Sequence, residues 1–163
     1  MVTLGPSAAG PEQRLSELGI VLPSPPTPLG AYVEAVRIRN LVFFSGMLPV
    51  VERKPQFVGR VGGELTLDDG RKAAATATLN GLSAAKAILG SLDRVAAIAK
   101  LGVYIATEGN FTEHAKVADG ASELLQAIFG TEKLSPRIVL GVASLPLGVP
   151  IEVELILEVD DAS

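Results

Sequence analysis

The stretch Ile151–Val159 (IEVELILEV) limits the possible folds more than any other. Ile151, Val153, Leu155, Leu157 and Val159 share one parity, and Glu152, Glu154, Ile156 and Glu158 share the other. An apolar period of two is the mark of a strand with one face in a core. Something must cover that face. Just upstream, SPRIVLGV (Ser135–Val142) reads as another strand, with Arg137 as the one cation in an otherwise uncharged run. The segment LPLGVP (Leu145–Pro150) joins the two.

The cover comes from two helical patterns. Thr66-Leu67-Asp68-Asp69 has a carboxylate three residues after a threonine, the spacing of a capping box. Ala75, Leu79, Leu82, Ala85 and Leu89 follow at steps of three and four, and Gly90 is placed to end the helix. Val117, Ala121, Leu124, Leu125 and Ile128 give a second helix from Phe111 or Thr112 to Phe129, with Gly130 after it. Between the helices, Val95–Thr107 ends as a β-rich run. Ahead of them, Ala31–Arg39 and Leu41–Ser45 flank Asn40 as a hairpin. Residues 47–65 read as a loop with a small strand near Phe57–Val61.

The order β-β-(β)-α-β-α-β-β predicts an α+β domain, a mixed sheet of about six strands with two helices on one face. The other face, holding Glu152, Glu154 and Ile156, would be bare in a monomer. A broad, half-apolar bare face predicts burial by oligomer formation.

The 163 residues suit one domain. The expected division is an N-terminal extension over 1–27, a domain over 28–160 and a tail over 161–163. Residues 1–10 have the composition of a flexible tip. Pro11–Leu18 reads as a short helix with Pro at its start, and LPSPPTPLG (Leu22–Gly30) as a stiff extended lead-in. Hydrophobic residues make up 48%, much of it alanine, which favours close packing. Aromatics are only 4% and the net charge is −4. Both weigh against an aromatic platform or a basic track for nucleic acid. With no cysteine, disulfides, thiolate catalysis and cysteine-rich zinc sites are excluded. No signal peptide or membrane-spanning run is read, so a cytoplasmic protein is expected.

Candidate chemistry is sparse. No phosphate-binding glycine motif is present. His114 is the single histidine, and it reads as a solvated residue in a helix's first turn. Asp68-Asp69 and Asp160-Asp161 read as a helix start and a polar tail, with no metal expected. Arg137 suits either a structural ion pair or a bound carboxylate. Glu152 could bind or deprotonate a water, or be a solvated strand residue. Tyr32 could be a half-buried strand residue or offer its hydroxyl to a ligand.

Three ordered segments, PLGAYVEAVRIRNLVFFSGMLPV, SLDRVAAIAKLGVYIA and SPRIVLGVASLPLGVPIEVELILEV, together resemble the reactive-intermediate deaminase (Rid/YjgF) family over about residues 28–159. The resemblance implies a chorismate-mutase-like fold and a homotrimer with clefts between subunits. It also implies cofactor- and metal-free hydrolysis of enamines and imines such as 2-aminoacrylate to 2-keto acids and ammonia. By position, Arg137 matches the arginine that clamps a substrate carboxylate and Glu152 the glutamate that holds the attacking water. Tyr32, Ser45, Gly46 and Val139 fall at substrate-binding positions. The alternative on the same trimer is a non-catalytic protein that binds small carboxylates. A ribonuclease, an activity attributed to some relatives, is disfavoured by the charge and the few aromatics. Met47 stands where glutamine is common, Ile138-Val139 where a small or cysteine-containing pair is common, and Ser122 near a usual asparagine. These departures imply a larger or more apolar pocket.

Overall fold

The computed structural model describes residues 9–161. The tip expected over 1–10 and the tail over 161–163 lie largely outside them. Helix α1 (Pro11–Glu17) opens the described chain, with Pro at its first turn. The hairpin β1 (Ala35–Ile38) and β2 (Leu41–Phe44) follows, then a small hairpin of β3 (Val50–Val51) and β4 (Lys54–Pro55). After these come α2 (Leu67–Leu89), β5 (Val95–Ala106), α3 (His114–Phe129), β6 (Arg137–Val142) and β7 (Ile151–Val159).

The fold is α+β, as the pattern predicts. The main sheet has five strands in the order β1-β2-β7-β5-β6, and β3 and β4 form a separate two-stranded unit. All pairings are antiparallel except β5 with β6. A parallel pair needs a crossover, and α3 supplies it. The small strand expected near Phe57–Val61 is reduced to Val61. Its N–H donates to the Ala106 carbonyl, and its carbonyl accepts from Glu108 N–H. The extra hairpin lies earlier, where Glu52 and Arg53 form its turn at φ 51° and 65°.

The start of α2 follows its sequence closely. Asp69 N–H donates to Thr66 Oγ1, and Thr66 N–H donates to the Asp69 carboxylate at 2.9 Å. Gly90 closes the helix at φ 83°. Helix α3 starts at His114, slightly later than expected. Phe111 is held in a turn by its N–H donating to the Glu108 carbonyl, and it meets the His114 ring edge-on.

Both helices lie on one face of the sheet. Ile151, Val153, Leu155, Leu157 and Val159 are buried beneath them, as their parity requires. Helix α2 is buried around more of its circumference than one stripe would give, and residues 80–85 are all buried. Small residues permit this enclosure. A Cβ on Gly81 would come within 2.9 Å of Leu155, and one on Gly120 of α3 within 2.2 Å of the Arg71 carbonyl on α2.

The opposite face carries Val36, Ile38, Phe43, Ile138 and Leu140, all exposed. A band of half-buried Glu152, Glu154, Ile156 and Glu158 crosses it. This is the bare face that the alternation predicts.

The approach at Gly120 sets the spacing of α2 and α3, and the crowding there is against backbone. Gly120→Ala is expected to destabilise the protein by about 1–3 kcal/mol through overpacking, read as a lower midpoint in urea unfolding.

Candidate active site

The site is built on an irregularity between β2 and β7. Leu41, Val42 and Phe43 pair with Glu158, Leu157 and Ile156. The next contact is Met47 with Val153, closed by two hydrogen bonds of 2.7 and 2.9 Å. From Phe43 to Met47 the chain takes four steps, while from Ile156 to Val153 it takes three. One extra residue therefore sits in the β2 side, as in a β-bulge. The bulge reverses parity: Phe43 lies on the bare face, but Met47 is buried in the core. Ser45 and Gly46 occupy the step.

The bulge presses the backbone onto Glu152. A Cβ on Gly46 would lie 1.9 Å from Glu152 Oε1, which explains the glycine without appeal to φ. Ser45 is fixed from two sides: its N–H donates to the Glu34 carbonyl at 2.8 Å, and its hydroxyl donates to the Val33 carbonyl at 2.6 Å.

Glu152, Ser45 and Gly46 line a cavity of about 870 Å³ together with Tyr32, Glu34 and Asn80. Tyr32 is exposed, and its hydroxyl accepts from Leu29 N–H at 3.0 Å. Asn80 on α2 is buried and donates through Nδ2 to the carbonyls of Leu48 and Val50, both at 2.8 Å. It pins the chain after the bulge to the helix. A shallower depression on the other side of Glu152 holds Tyr104 and Glu154, whose side chains share a hydrogen bond of 2.9 Å.

Burial raises the pKa of Glu152 above its ordinary value, and the neighbouring Glu154 carboxylate adds to the shift. Glu34 is raised in the same direction by burial. The cavity thus has two carboxyls whose protonated forms are favoured by their surroundings. Among the described residues no group of three or more acidic, histidine or cysteine side chains could hold a metal ion.

Arg137 is elsewhere in the chain. It pairs with Leu101, which pairs with Leu155, so Arg137 belongs to the helix-covered face. Glu152 belongs to the bare one. The guanidinium donates to Asp119 at 2.8 Å, Ser122 Oγ at 3.0 Å and the Ala115 carbonyl at 3.3 Å, all on α3. Val139 shares that face and packs against the core. One chain therefore brings Tyr32, Ser45, Gly46 and Glu152 together, and leaves Arg137 and Val139 apart from them on edge strand β6.

Sequence reading passed over Glu34, Asn80 and Asp119. Asn80 could have been suspected as a polar residue inside the apolar pattern of α2. Glu34 and Asp119 carry no such local signal. His114 does lie in the first turn of α3, half-buried, with its ring set over Gly141.

A sequence model of the family described as "YjgF/chorismate mutase-like, putative endoribonuclease" matches residues 12–159. The chain is 37% identical over 149 residues to protein TCP17 of Trypanosoma cruzi, covering 91% of this chain and 93% of that one. The crystal structure of a "putative endoribonuclease" from Shewanella oneidensis superposes with a TM-score of 0.89 at 31% identity, covering 93% of this chain and all of that one. RidA from the Antarctic bacterium Psychrobacter gives a TM-score of 0.60 at 25% identity, over 83% and 94% of the two chains.

The raised pKa of Glu152 has a consequence for stability. The folded state holds this proton more tightly than the unfolded chain, so ionisation lowers stability as pH rises from about 4.5 through the folded value. Glu152→Gln is therefore expected to melt a few degrees higher than the wild type at pH 7. The advantage should vanish below pH 4.5, where the unfolded carboxyl is also protonated. Thermal unfolding followed by circular dichroism at both pH values checks this.

Proposed function

The chain belongs to the YjgF/chorismate mutase-like family, and from that premise we propose that it hydrolyses reactive enamines and imines to 2-keto acids and ammonia. The observation that carries the reading is the Glu152 carboxyl, raised in pKa, seated against the bulge and opening into the cavity with Ser45 and Tyr32. A carboxylate raised towards working pH is a better base, and it can return the proton it takes.

The chemistry asks little of the protein. An enamine first moves a proton to carbon and becomes an imine, whose carbon is electrophilic. Glu152 orients a water and accepts its proton as the oxygen bonds to that carbon. That proton passes to nitrogen, giving a carbinolamine, and the new hydroxyl proton then moves to nitrogen as the carbonyl forms and the carbon–nitrogen bond breaks, so ammonia leaves behind a keto acid. Orientation supplies most of the acceleration. No cofactor or metal enters these steps.

Arg137 fixes the substrate carboxylate in this reading, and it must come from a second copy. Its edge position on β6 and the bare, half-apolar sheet face suit a homotrimer with clefts between subunits. Val139, two residues along the same strand, would line the cleft beside it. Three of the five guanidinium N–H groups are engaged by α3, which leaves two for a ligand. A cytoplasmic setting accords with the absence of cysteine. Among the described residues no helix is long and apolar enough to cross a membrane.

The Arg137–Asp119 ion pair favours a second reading, a protein that binds small carboxylates without turning them over. Asp119 already offsets the arginine's charge, which weakens a clamp. The endoribonuclease label carried by some relatives finds little support in a chain with net charge −4 and 4% aromatics.

Turnover of 2-aminoacrylate generated in situ by a dehydratase is the direct test. Arg137→Ala and Glu152→Gln should each lose roughly a hundredfold in kcat/KM, and the acid limb of the wild-type pH profile should lie above the ordinary glutamate value. Co-expressing the two variants should restore about a quarter of the sites, because mixed trimers rebuild a cleft from one intact residue of each chain. Binding of keto acids without any turnover would favour the second reading. Full activity in Arg137→Ala would remove the clamp.

A further inference from the structure

The cavity is far larger than a three-carbon imine requires. At about 870 Å³ it lies in the range of sites for drug-sized ligands. At one end the Ser45 N–H donates to the Glu34 carbonyl and Gly46 lies against the Glu152 carboxyl. The remaining wall is mostly apolar, with Asn80, Glu52 and Arg53 among its polar residues. Pro23, Pro25 and Leu29 come from the lead-in, Met47 and Val50 from the segment after the bulge, and Leu147 from the β6–β7 connection.

This wall is held in place at a conformational cost. Four non-glycine residues among those described have left-handed backbones: Arg39, Glu52, Arg53 and Leu147. Arg39 forms the β1–β2 turn. Glu52 and Arg53 form the β3–β4 turn, and they and Leu147, which lies outside any hairpin turn, line this one cavity. Leu147, at φ 60°, is a bulky residue in a conformation that favours glycine, and it is 50% exposed. Folding alone gains little from a strained, half-exposed leucine, and strain of this kind gathers at ligand sites. The lead-in is anchored as well: the Pro23 carbonyl accepts from Ser83 Oγ on α2 at 2.5 Å, and Ile20 and Leu22 pack on the core.

We propose that the site takes ligands with a bulky apolar side chain, branched aliphatic or aromatic, on a 2-imino or 2-keto acid head. The head lies at Glu152 and Ser45, and the side chain lies between the proline lead-in, Met47 and Leu147. The assignment rests on the reading of Glu152 as the site's polar end. It adds that the preferred substrates are imines of large apolar amino acids, with 2-aminoacrylate a poor fit. Such imines arise when a flavin-dependent oxidase takes two electrons from those amino acids, the flavin being reduced, so an enzyme of that class would supply the substrate.

Two measurements on the full-length protein separate this inference from the hydrolase reading. Calorimetry with pyruvate, 4-methyl-2-oxopentanoate and phenylpyruvate tests the compartment without turnover. Each buried methylene should tighten binding roughly fourfold, so the larger acids should bind well above pyruvate. Imines made in situ from alanine, leucine and phenylalanine by an amino-acid oxidase test chemistry. The leucine and phenylalanine imines should exceed the alanine imine by roughly tenfold or more in kcat/KM.

Leu147→Gly removes a wall contact and relieves the strained backbone. It should weaken phenylpyruvate binding without lowering the melting temperature. Leu29→Trp fills the compartment from the lead-in and should reduce the preference for large over small ligands. Selective binding of phenylpyruvate with no imine turned over keeps the compartment and removes the hydrolase. Imine turnover without size preference keeps the hydrolase and overturns the compartment. Pyruvate binding as tightly as phenylpyruvate overturns it too, as does a size preference left intact by both variants.

Discussion

The pair of backbone hydrogen bonds between Met47 and Val153 is the fixed point of this structure. It lies one residue out of the register that β2 and β7 keep elsewhere, so the chain between Phe43 and Met47 must bulge. Everything local follows from that step. Met47 turns into the core, Ser45 is caught by the backbone of Val33 and Glu34, and Gly46 is forced against Glu152. Because β7 is the middle strand of the sheet, its own alternation is fixed by burial under α2, and Glu152 has no freedom to face elsewhere. A polar end of a cavity is thus held by the most constrained strand of the fold.

Opposite demands divide the molecule at the sheet. The covered face is packed closely enough that glycines stand where helices meet leucine side chains or each other's backbone. The bare face mixes exposed Val36, Ile38, Phe43, Ile138 and Leu140 with a band of glutamates. Arg137 lies on one face and Glu152 on the other, so in the proposed reading a single chain holds only half of a carboxylate site. A second copy laid on the bare face would cover apolar surface and supply the missing half together. Folding, assembly and chemistry would then share one requirement.

Much of this was legible in the sequence where the signal is local. Thr66 with Asp69 marked the start of α2, Gly90 its end, and the parity of Ile151–Val159 the buried face of β7. The bulge was not legible, since Phe43 and Met47 share a parity and only pairing with another strand shows that they face opposite ways. The hairpin at Val50–Pro55 was missed because Glu52 and Arg53 are not residues that announce a left-handed turn. The face of Arg137 depends on its register across two strands, which no spacing within SPRIVLGV reveals. The resemblance to the reactive-intermediate deaminases pointed to Glu152 and Ser45-Gly46. It could not say that Asp119 would hold the arginine in the single chain.

The contact between Gly46 and Glu152 also makes the order of evolutionary change matter. A side chain at position 46 meets the glutamate head, so it can enter without disturbance only after residue 152 has shortened. A lineage that replaces Gly46 first passes through an ancestor whose carboxyl has been pushed aside. One that first changes Glu152 to aspartate passes through an ancestor with an empty space in the same place. The two positions are therefore historically contingent on one another, since a side chain at 46 and an undisturbed glutamate at 152 exclude each other.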